Sequence, residues 1–375
     1  MGTATQPAEP LIGFTIGVTA ARRRDELVAL LQRRGAKVVE APTMRIVPLG
    51  DDTVLRRATE ACLAGRLDYV VATTGVGWRG WMSAAEGWGY GTELVEACRD
   101  AVIVSRGPKA TGAVRAAGLR EVYSPGSEAN DELLYWLLAR DLRGRRIALQ
   151  EHGAPLEDFT AALRERGADV ITVPVYRWGP PEDPAAVRKL VEASVRREVH
   201  ALTFTSSPAI EAFLESADEL GRRTELLDAL RRDVLPVCIG PVCARPLQDQ
   251  GIDTVWPERG RLGSLVRTIS EELPSRARRE LDTGKDRLVL QGNAVLVDGR
   301  TIWLPPVPGA VLRALAEKPG WVLSRAELLK KVWTGARADE HAVEAAVARL
   351  RTALGPHSGL VRTVTKRGYR LAVDP

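Results

Sequence analysis

Two groups of side chains near the C-terminus have the types and spacing to work on a phosphate-bearing surface. In the stretch 339–354, DEHAVEAAVARLRTAL, the residues Val343, Val347, Leu350 and Leu354 recur at spacings of 4, 3 and 4. That spacing lays one apolar stripe along a helix. His341, Ala345, Ala348, Arg349 and Thr352 then fall on the opposite side. Small residues let a helix approach another surface closely, and a long arginine among them can reach into it. The major groove of DNA, with acceptors on its base edges, is such a surface. A solvated helix face with one stray arginine gives the same pattern. Further on, Val361-Arg362-Thr363-Val364-Thr365 alternates as a half-buried strand does, Lys366-Arg367-Gly368 makes a basic turn, and Tyr369-Arg370-Leu371 returns. That is a hairpin with cations at its tip.

The flanking elements give these groups a scaffold. Ser324-Arg325-Ala326-Glu327 is a capping box opening a helix through Leu328, Leu329, Val332 and Trp333. Before it, Ala310 to Glu317 reads as a short helix with Val311, Leu312 and Leu315 inward. Three helices and a basic hairpin make a winged helix, a helix-turn-helix variant with its third helix in the major groove and its wing near phosphates or the minor groove. Charge is distributed accordingly. The net charge is +5, yet residues 285–375 hold 15 Lys plus Arg against 8 Asp plus Glu, which leaves 53 − 15 = 38 against 48 − 8 = 40 for the remainder. Only the C-terminal unit carries a positive surplus, as expected if only that unit meets phosphate.

Residues 286–373 resemble the winged-helix output domain of OmpR/PhoB-type response regulators, on the runs PGWVLSRAELLKKVW, AVARLRTALG and LVRTVTKRGYRL. Leu288-Val289-Leu290 and Val295-Leu296-Val297 fit that family's extra N-terminal sheet. The resemblance implies double-stranded DNA as the partner. It implies a base or phosphate contact for Arg349 and phosphate contacts for Arg351 and Thr363. His341, Ala345, Thr365, Lys366 and Arg367 complete the expected DNA-binding set. His341-Ala342 stand where the family often has Arg-Thr, and Thr365-Lys366, followed by Arg367, stand for its wing Arg-Gly. Sequence preference is therefore open. Binding to direct repeats is common in that class, which makes a homodimer on DNA one arrangement to test. Asp25 and Glu26 fall on a helix and the strand ends carry Thr, so no receiver-type acidic cluster is present and control by aspartyl phosphorylation is not expected.

The rest of the chain is of another kind. At 375 residues and 45% hydrophobic content, two or three domains with real cores are expected. No run of about eighteen apolar residues offers a membrane span. Residues 1–10, MGTATQPAEP, lack a signal pattern and read as a flexible tail, so the expected location is cytoplasmic. Cys62, Cys98, Cys238 and Cys243 form no CxxC and no ligand cluster, and the 4 histidines are scattered. Buried apolar cysteines and no metal are expected.

Short apolar runs alternate with amphipathic helices over residues 11–272, from Thr15-Ile16-Gly17-Val18 to Pro236-Val237-Cys238-Ile239. Such alternation means parallel sheets covered on both faces. A faint repeat runs through it. Residues 68–74, DYVVATT, recur as 200–206, HALTFTS. The Gly107-Pro108 turn recurs as Gly240-Pro241, and 118–125, GLREVYSP, as 251–257, GIDTVWP, at offsets of 132 or 133. The region is two similar α/β lobes. Strand ends bearing Thr73-Thr74 or Thr205-Ser206-Ser207 before helix starts suit anion binding at the strands' C-terminal edges. Simple N-capping of the helices accounts for the same residues.

This arrangement resembles uroporphyrinogen-III synthase over nearly all of residues 12–272. The resemblance rests on VTAARR after the first strand, the Thr-Thr and Thr-Ser-Ser strand ends, the two Gly-Pro turns and Val175-Tyr176. It implies two flavodoxin-like parallel-sheet lobes, one inserted in the other: lobe one at 11–41 and 177–272, lobe two at 42–176. A linker at 273–285, begun by a helix stop at Pro274, and a winged helix-turn-helix domain at 286–375 follow. The family closes linear hydroxymethylbilane into a macrocycle with no cofactor, in the cleft between lobes. Eight substrate carboxylates would call for hydroxyls, amides and cations. The expected ligand set is Thr19, Arg22, Thr73, Thr74, Arg106, Lys109, Thr205, Ser206 and Ser207, with Arg23 and Arg24 as further cations. Tyr176 matches the tyrosine often given the proton-donor role; an aromatic packing at the hinge is its other reading. Ala20 stands where the family usually has Arg, and Thr74 for its first Ser. Two functions follow. One is a one-component transcription regulator sensing a small anionic ligand, with a tetrapyrrole as one candidate. The alternative is a working synthase of tetrapyrrole biosynthesis that carries a DNA-binding domain.

Overall fold

Runs such as TIGV and ALTF are apolar at nearly every position, so they suit strands buried on both faces of a parallel sheet rather than alternating ones. The computed structural model describes residues 9–48, 52–282, 287–297, 300–333 and 338–372. The tail expected at 1–10 lies outside the described residues up to position 8, as do residues 283–285 of the expected linker. By contacts the chain forms two units, Met1–Thr43 with Pro181–Pro375, and Met44–Pro180.

The first unit opens with β1 (Thr15–Val18), α1 (Arg24–Gln32) and β2 (Lys37–Glu40). The second unit holds β3 (Arg45–Pro48), α2 (Thr53–Leu63), β4 (Tyr69–Ala72), α3 (Gly75–Gly87), α4 (Gly91–Arg99), β5 (Val102–Ser105) and α5 (Pro108–Ala116). It continues with α6 (Asn130–Leu138), β6 (Arg146–Gln150), α7 (Glu157–Glu165), β7 (Asp169–Val173) and β8 (Tyr176–Gly179). The chain then returns to the first unit through α8 (Pro184–Val195), β9 (Ala201–Phe204), α9 (Ser207–Glu219), α10 (Arg223–Arg232), β10 (Leu235–Cys238), α11 (Pro241–Gln248) and α12 (Leu262–Ala277).

The two four-stranded parallel sheets have the orders β10-β9-β1-β2 and β5-β4-β6-β7. The repeated segments of the sequence are β4 with β9 and β5 with β10, which occupy the same places in their sheets. Each sheet is covered on both sides. In the first unit Leu190, Phe204 and Phe213 pack in one cluster, and Phe14, Ile16, Leu27 and Leu265 in another. In the second, Trp78, Trp81 and Ile103 fill one cluster and Leu133, Leu149 and Leu163 the other. The separate strands β3 and β8 pair antiparallel, Pro48 opposite Tyr176.

The C-terminal part of the first unit holds an antiparallel sheet of β11 (Arg278–Asp282), β12 (Arg287–Gln291), β13 (Ala294–Val297) and β14 (Arg300–Trp303). Then come α13 (Pro306–Ala316), α14 (Arg325–Val332), α15 (Glu340–Leu354), a 3-10 turn at Gly355–Leu360 and the hairpin β15 (Val361–Val364) with β16 (Gly368–Leu371). These elements share a core of their own, built on Leu290, Val311, Leu315, Leu328, Val347, Leu350 and Leu371. It is a winged helix with an added N-terminal sheet.

The helix stop expected at Pro274 is corrected. Helix α12 runs through it to Ala277, and β11 follows at once. A proline removes one backbone donor near a helix end, and here buried Leu273 and the Arg276–Glu272 ion pair hold the last turn in place. Strand β11 buries only Leu281. Its pairing with β12, from Arg278–Gln291 to Asp282–Arg287, supplies an order that composition does not reveal.

Candidate functional site

The third helix of the winged domain is set by its cap and its stripe. Asp339 caps α15, its Oδ1 accepting from the Ala342 N–H at 3.1 Å. Val343, Ala346, Val347, Leu350 and Leu354 are buried. His341, Ala345, Ala348 and Arg349 are left exposed. Arg349 makes no hydrogen bond or ion pair among the described residues, so its guanidinium is free to reach outward. The acidic residues on the same helix are held by α14: Arg325 lies 2.9 Å from Glu344 and 3.9 Å from Glu340. The capping box expected at Ser324 and Glu327 is present with both of its hydrogen bonds.

The wing carries Thr365, Lys366 and Arg367 exposed at its tip, with Lys366 at φ 60°. Gly368, at φ 132°, lets β16 pass against the Leu323 carbonyl, where any Cβ would collide. Arg351 differs from Arg349. It is half-buried, and its guanidinium donates to the Val361 carbonyl at 3.0 and 2.7 Å and to Thr363 Oγ1 at 2.8 Å. It ties the third helix to the wing, and Thr363 is the other end of that tie.

In the second unit the C-terminal ends of β5, β4 and β6 lie side by side, which brings Arg106, Thr73-Thr74 and Gln150-Glu151-His152 to one sheet edge. Thr73 is buried and donates to the Gln150 carbonyl at 2.9 Å. Thr74 caps α3, accepting from the Gly77 N–H at 3.1 Å and from Gln150 Nε2 at 3.0 Å. Gln150 is fully buried, and its Oε1 has no partner among the described residues. Arg106 makes no hydrogen bond or ion pair there; burial lowers its pKa, and the nearby Tyr176 and Glu128 offset that only in part. Burial first, and then the charge of Arg106, push His152 down to about 3, so this imidazole is neutral at physiological pH, and its Nδ1 is unpartnered among the described residues. Lys109 is exposed in the first turn of α5. Tyr176 is buried on β8.

The equivalent edge of the first unit is plainer. Thr19 is buried and donates to the Thr203 carbonyl at 2.8 Å. Ser207 donates to the Val242 carbonyl at 2.8 Å, which turns its hydroxyl toward α11. Thr205 and Ser206 make no side-chain hydrogen bond among the described residues. Arg22 is exposed and unpaired there, whereas Arg23 pairs with Glu26 and Arg24 with Glu40. Where the second unit has Arg106 before its Gly-Pro turn, this one has Ile239.

A family model described as uroporphyrinogen-III synthase HemD matches residues 25–267. The chain belongs to the uroporphyrinogen-III synthase family. A second model, described as transcriptional regulatory protein, C terminal, matches residues 299–371. Among solved structures the chain is similar to a mutant uroporphyrinogen III synthase from Thermus thermophilus, at 30% identity and a TM-score of 0.60, covering 70% of this chain and 99% of that one. It is 28% identical over 259 residues to a putative uroporphyrinogen-III synthase of Methanothermobacter thermautotrophicus, covering 66% of this chain and 94% of that one. It is 30% identical over 228 residues to the transcriptional regulatory protein AfsQ1 of Streptomyces coelicolor, covering 52% of this chain and 96% of that one.

This member of the synthase family therefore joins the family's α/β region to an OmpR/PhoB-type DNA-binding domain. No helix among the described residues is long and apolar enough to cross a membrane, and no group of three or more metal-ligating side chains occurs among them. Gln150 and His152 escaped the sequence reading. The available signal was a glutamine closing the apolar run Ile147-Ala148-Leu149, where solvent would otherwise be expected.

Proposed function

We propose that this synthase-family chain is a transcriptional regulator that binds double-stranded DNA through α15 and its wing and senses a small anionic ligand at the strand ends of its α/β region. The observation that carries the reading is Arg349 on α15, exposed and without an ion-pair partner among the described residues, together with a wing tip that exposes Lys366 and Arg367. A guanidinium held ready on a helix that packs by its other face suits bidentate contact with a guanine edge, and cations at a hairpin tip suit phosphate.

The ligand half rests on Arg106 and the N-termini of α3 and α5. Arg106 is a half-buried cation without an ion-pair partner among the described residues, next to helix ends whose free N–H groups favour anions. A carboxylate there gains a charge-assisted hydrogen bond and relieves a desolvated guanidinium. In the same unit Thr74 and Lys109 offer further polar contacts to a ligand's carboxylates, such as those of a tetrapyrrole, and Thr205, Ser206 and Arg22 are the polar groups at the strand ends of the other unit. Such binding regulates only if the ligand distinguishes two states of the protein. The proposal includes a homodimer on DNA, read from the stoichiometry of the titration below.

One observation favours a second reading, an active synthase. The Tyr176 phenol is buried and lies near enough to Arg106 to offset part of the burial that lowers that guanidinium's pKa, and a buried phenol beside a ligand could protonate a leaving hydroxyl. The test uses the full chain in two arms. Fluorescence anisotropy follows binding to duplex DNA across salt concentrations, with and without added uroporphyrin. In parallel, hydroxymethylbilane is supplied and the III isomer is scored against the spontaneous product. Salt-sensitive DNA binding that the porphyrin alters, without turnover, is the expected result. Enzyme-like turnover abolished by Tyr176→Phe would establish the second reading, and absence of any salt-sensitive DNA binding would defeat the regulator.

A further inference from the structure

The polar groups at the N-terminal edge of the first unit's sheet meet the hairpin turn between β12 and β13. Gln291 is buried, and its Nε2 donates to the carbonyls of Pro10 and Ile12, both at 2.8 Å. The Asn293 N–H donates to the Gly13 carbonyl at 2.8 Å. Gly13 and Gly292 face one another at φ 86° and 57°. A Cβ on Gly13 would strike the Gln291 carbonyl, and one on Gly292 would strike the Gly13 carbonyl. Arg313 of α13 secures the turn from behind, donating to the Gly292 carbonyl at 2.7 Å and to Asn293 Oδ1 at 3.0 Å. Its charge also reaches His200, the residue before β9, whose Nδ1 accepts from the Thr15 N–H at 3.0 Å.

These contacts differ from those of a tethered module. Gln291, Gly292 and Asn293 form the end of a hairpin, and a turn amide such as that of Asn293 normally points to water. Here it is buried on backbone from a segment about 280 residues earlier, as the separations of 281 and 279 for the Gln291 bonds show. An unpaired buried amide or carbonyl is costly, so opening this seam exposes donors and acceptors that were made for each other. Continuity of α12 into β11 adds a second connection at the same junction.

We infer that residues 10–13 and the Gln291–Asn293 turn form a fixed joint, so that the α/β lobe containing β1 carries the winged helix as part of its own fold. The joint meets β1 and β9 at their N-terminal ends. The same two strands present Thr19 and Thr205 at their C-terminal ends, about 13 Å away for a strand of 4 residues. A change at that edge therefore has a short, hydrogen-bonded route to the DNA-binding domain. This joint stands whether or not the sensing reading is correct.

Amide hydrogen exchange on the full chain, resolved at Asn293, tests it. The expected result is exchange more than tenfold slower than in an unstructured peptide, and exchange within tenfold of that rate overturns the inference. In Gln291→Ala, Asn293 should exchange at least threefold faster than in the wild type while the Val347 and Leu350 amides of α15 keep their protection. If Asn293 protection is unchanged by that substitution, the joint is refuted. Should Gln291→Ala also unprotect α15, Gly13→Ala replaces it. That substitution breaks the seam from the side of the α/β lobe, and the same two outcomes at Asn293 decide.

Discussion

Removing Arg351 separates two roles that the sequence leaves together, phosphate contact and internal tie. Arg351 donates three hydrogen bonds from α15 to β15, two of them to one carbonyl and one to Thr363 Oγ1. Hydrogen bonds from a charged donor contribute about 1.5–3 kcal/mol each. Two of these share an acceptor and the side chain is half-buried, so the set is worth about 2 kcal/mol, with the Tyr369 ring adding little at 6.0 Å. Arg351→Ala should therefore raise the unfolded fraction of the winged domain about thirtyfold, at about 1.4 kcal/mol per tenfold. Urea titration read by hydrogen exchange of α15 and β16 measures this, and Arg351→Lys should fail to restore it, because an ammonium cannot span both acceptors in the guanidinium's plane. A phosphate contact predicts the reverse: unchanged stability, a log K against log salt slope smaller by about 0.9, and rescue by lysine. Stability within about 0.3 kcal/mol of the wild type, together with that loss of slope, would refute the tie.

Other substitutions probe the remaining parts. Arg349→Ala should leave the urea midpoint in place and cost about 1–3 kcal/mol of specific DNA binding, with relaxed preference at one base position in a competition assay. Lys366→Ala or Arg367→Ala should weaken binding to all sequences alike, each lowering the salt slope by about 0.9 in anisotropy titrations. Acid should destabilise the protein through His200, which burial and the charge of Arg313 hold at about 3 in the fold against about 6.5 unfolded. With its folded pKa depressed, the unfolded chain binds the extra proton, so stability is full above about pH 6.5 and falls as pH drops toward 3. His200→Gln, which keeps an acceptor for Thr15, should lose about 2 kcal/mol less than the wild type between about pH 7 and pH 5; an identical loss would show that His200 stays charged or solvated.

The legible parts of this protein are those written in local periodicity. The stripe of α15, the capping box at Ser324, the basic wing tip and the apolar strands of both α/β lobes are each visible within about fifteen residues, because burial of one face demands a repeating pattern there. The repeat relating β4 to β9 and β5 to β10 shows in advance that two similar sheets are present. Pro274 misleads, since a proline's cost can be met by packing that lies far away in sequence.

What remained hidden concerns partners across the chain. Helical periodicity sets Arg351 and Arg349 on different faces of α15, yet it does not say that the first turns to the Val361 carbonyl while the second stays in solvent; the position of β15 decides that. Gln150 becomes a buried cap partner because β6 ends beside Thr74. Nothing in the sequence around Gln291 or Gly13 shows that the fold sets them against each other. By itself, the order of residues determined which segments are helix or strand, which face of each is apolar, and where cations gather. The tertiary structure decided which polar groups are occupied and which are free, because a hydrogen bond depends on who arrives within about 3 Å, and that is settled by packing rather than by sequence neighbourhood.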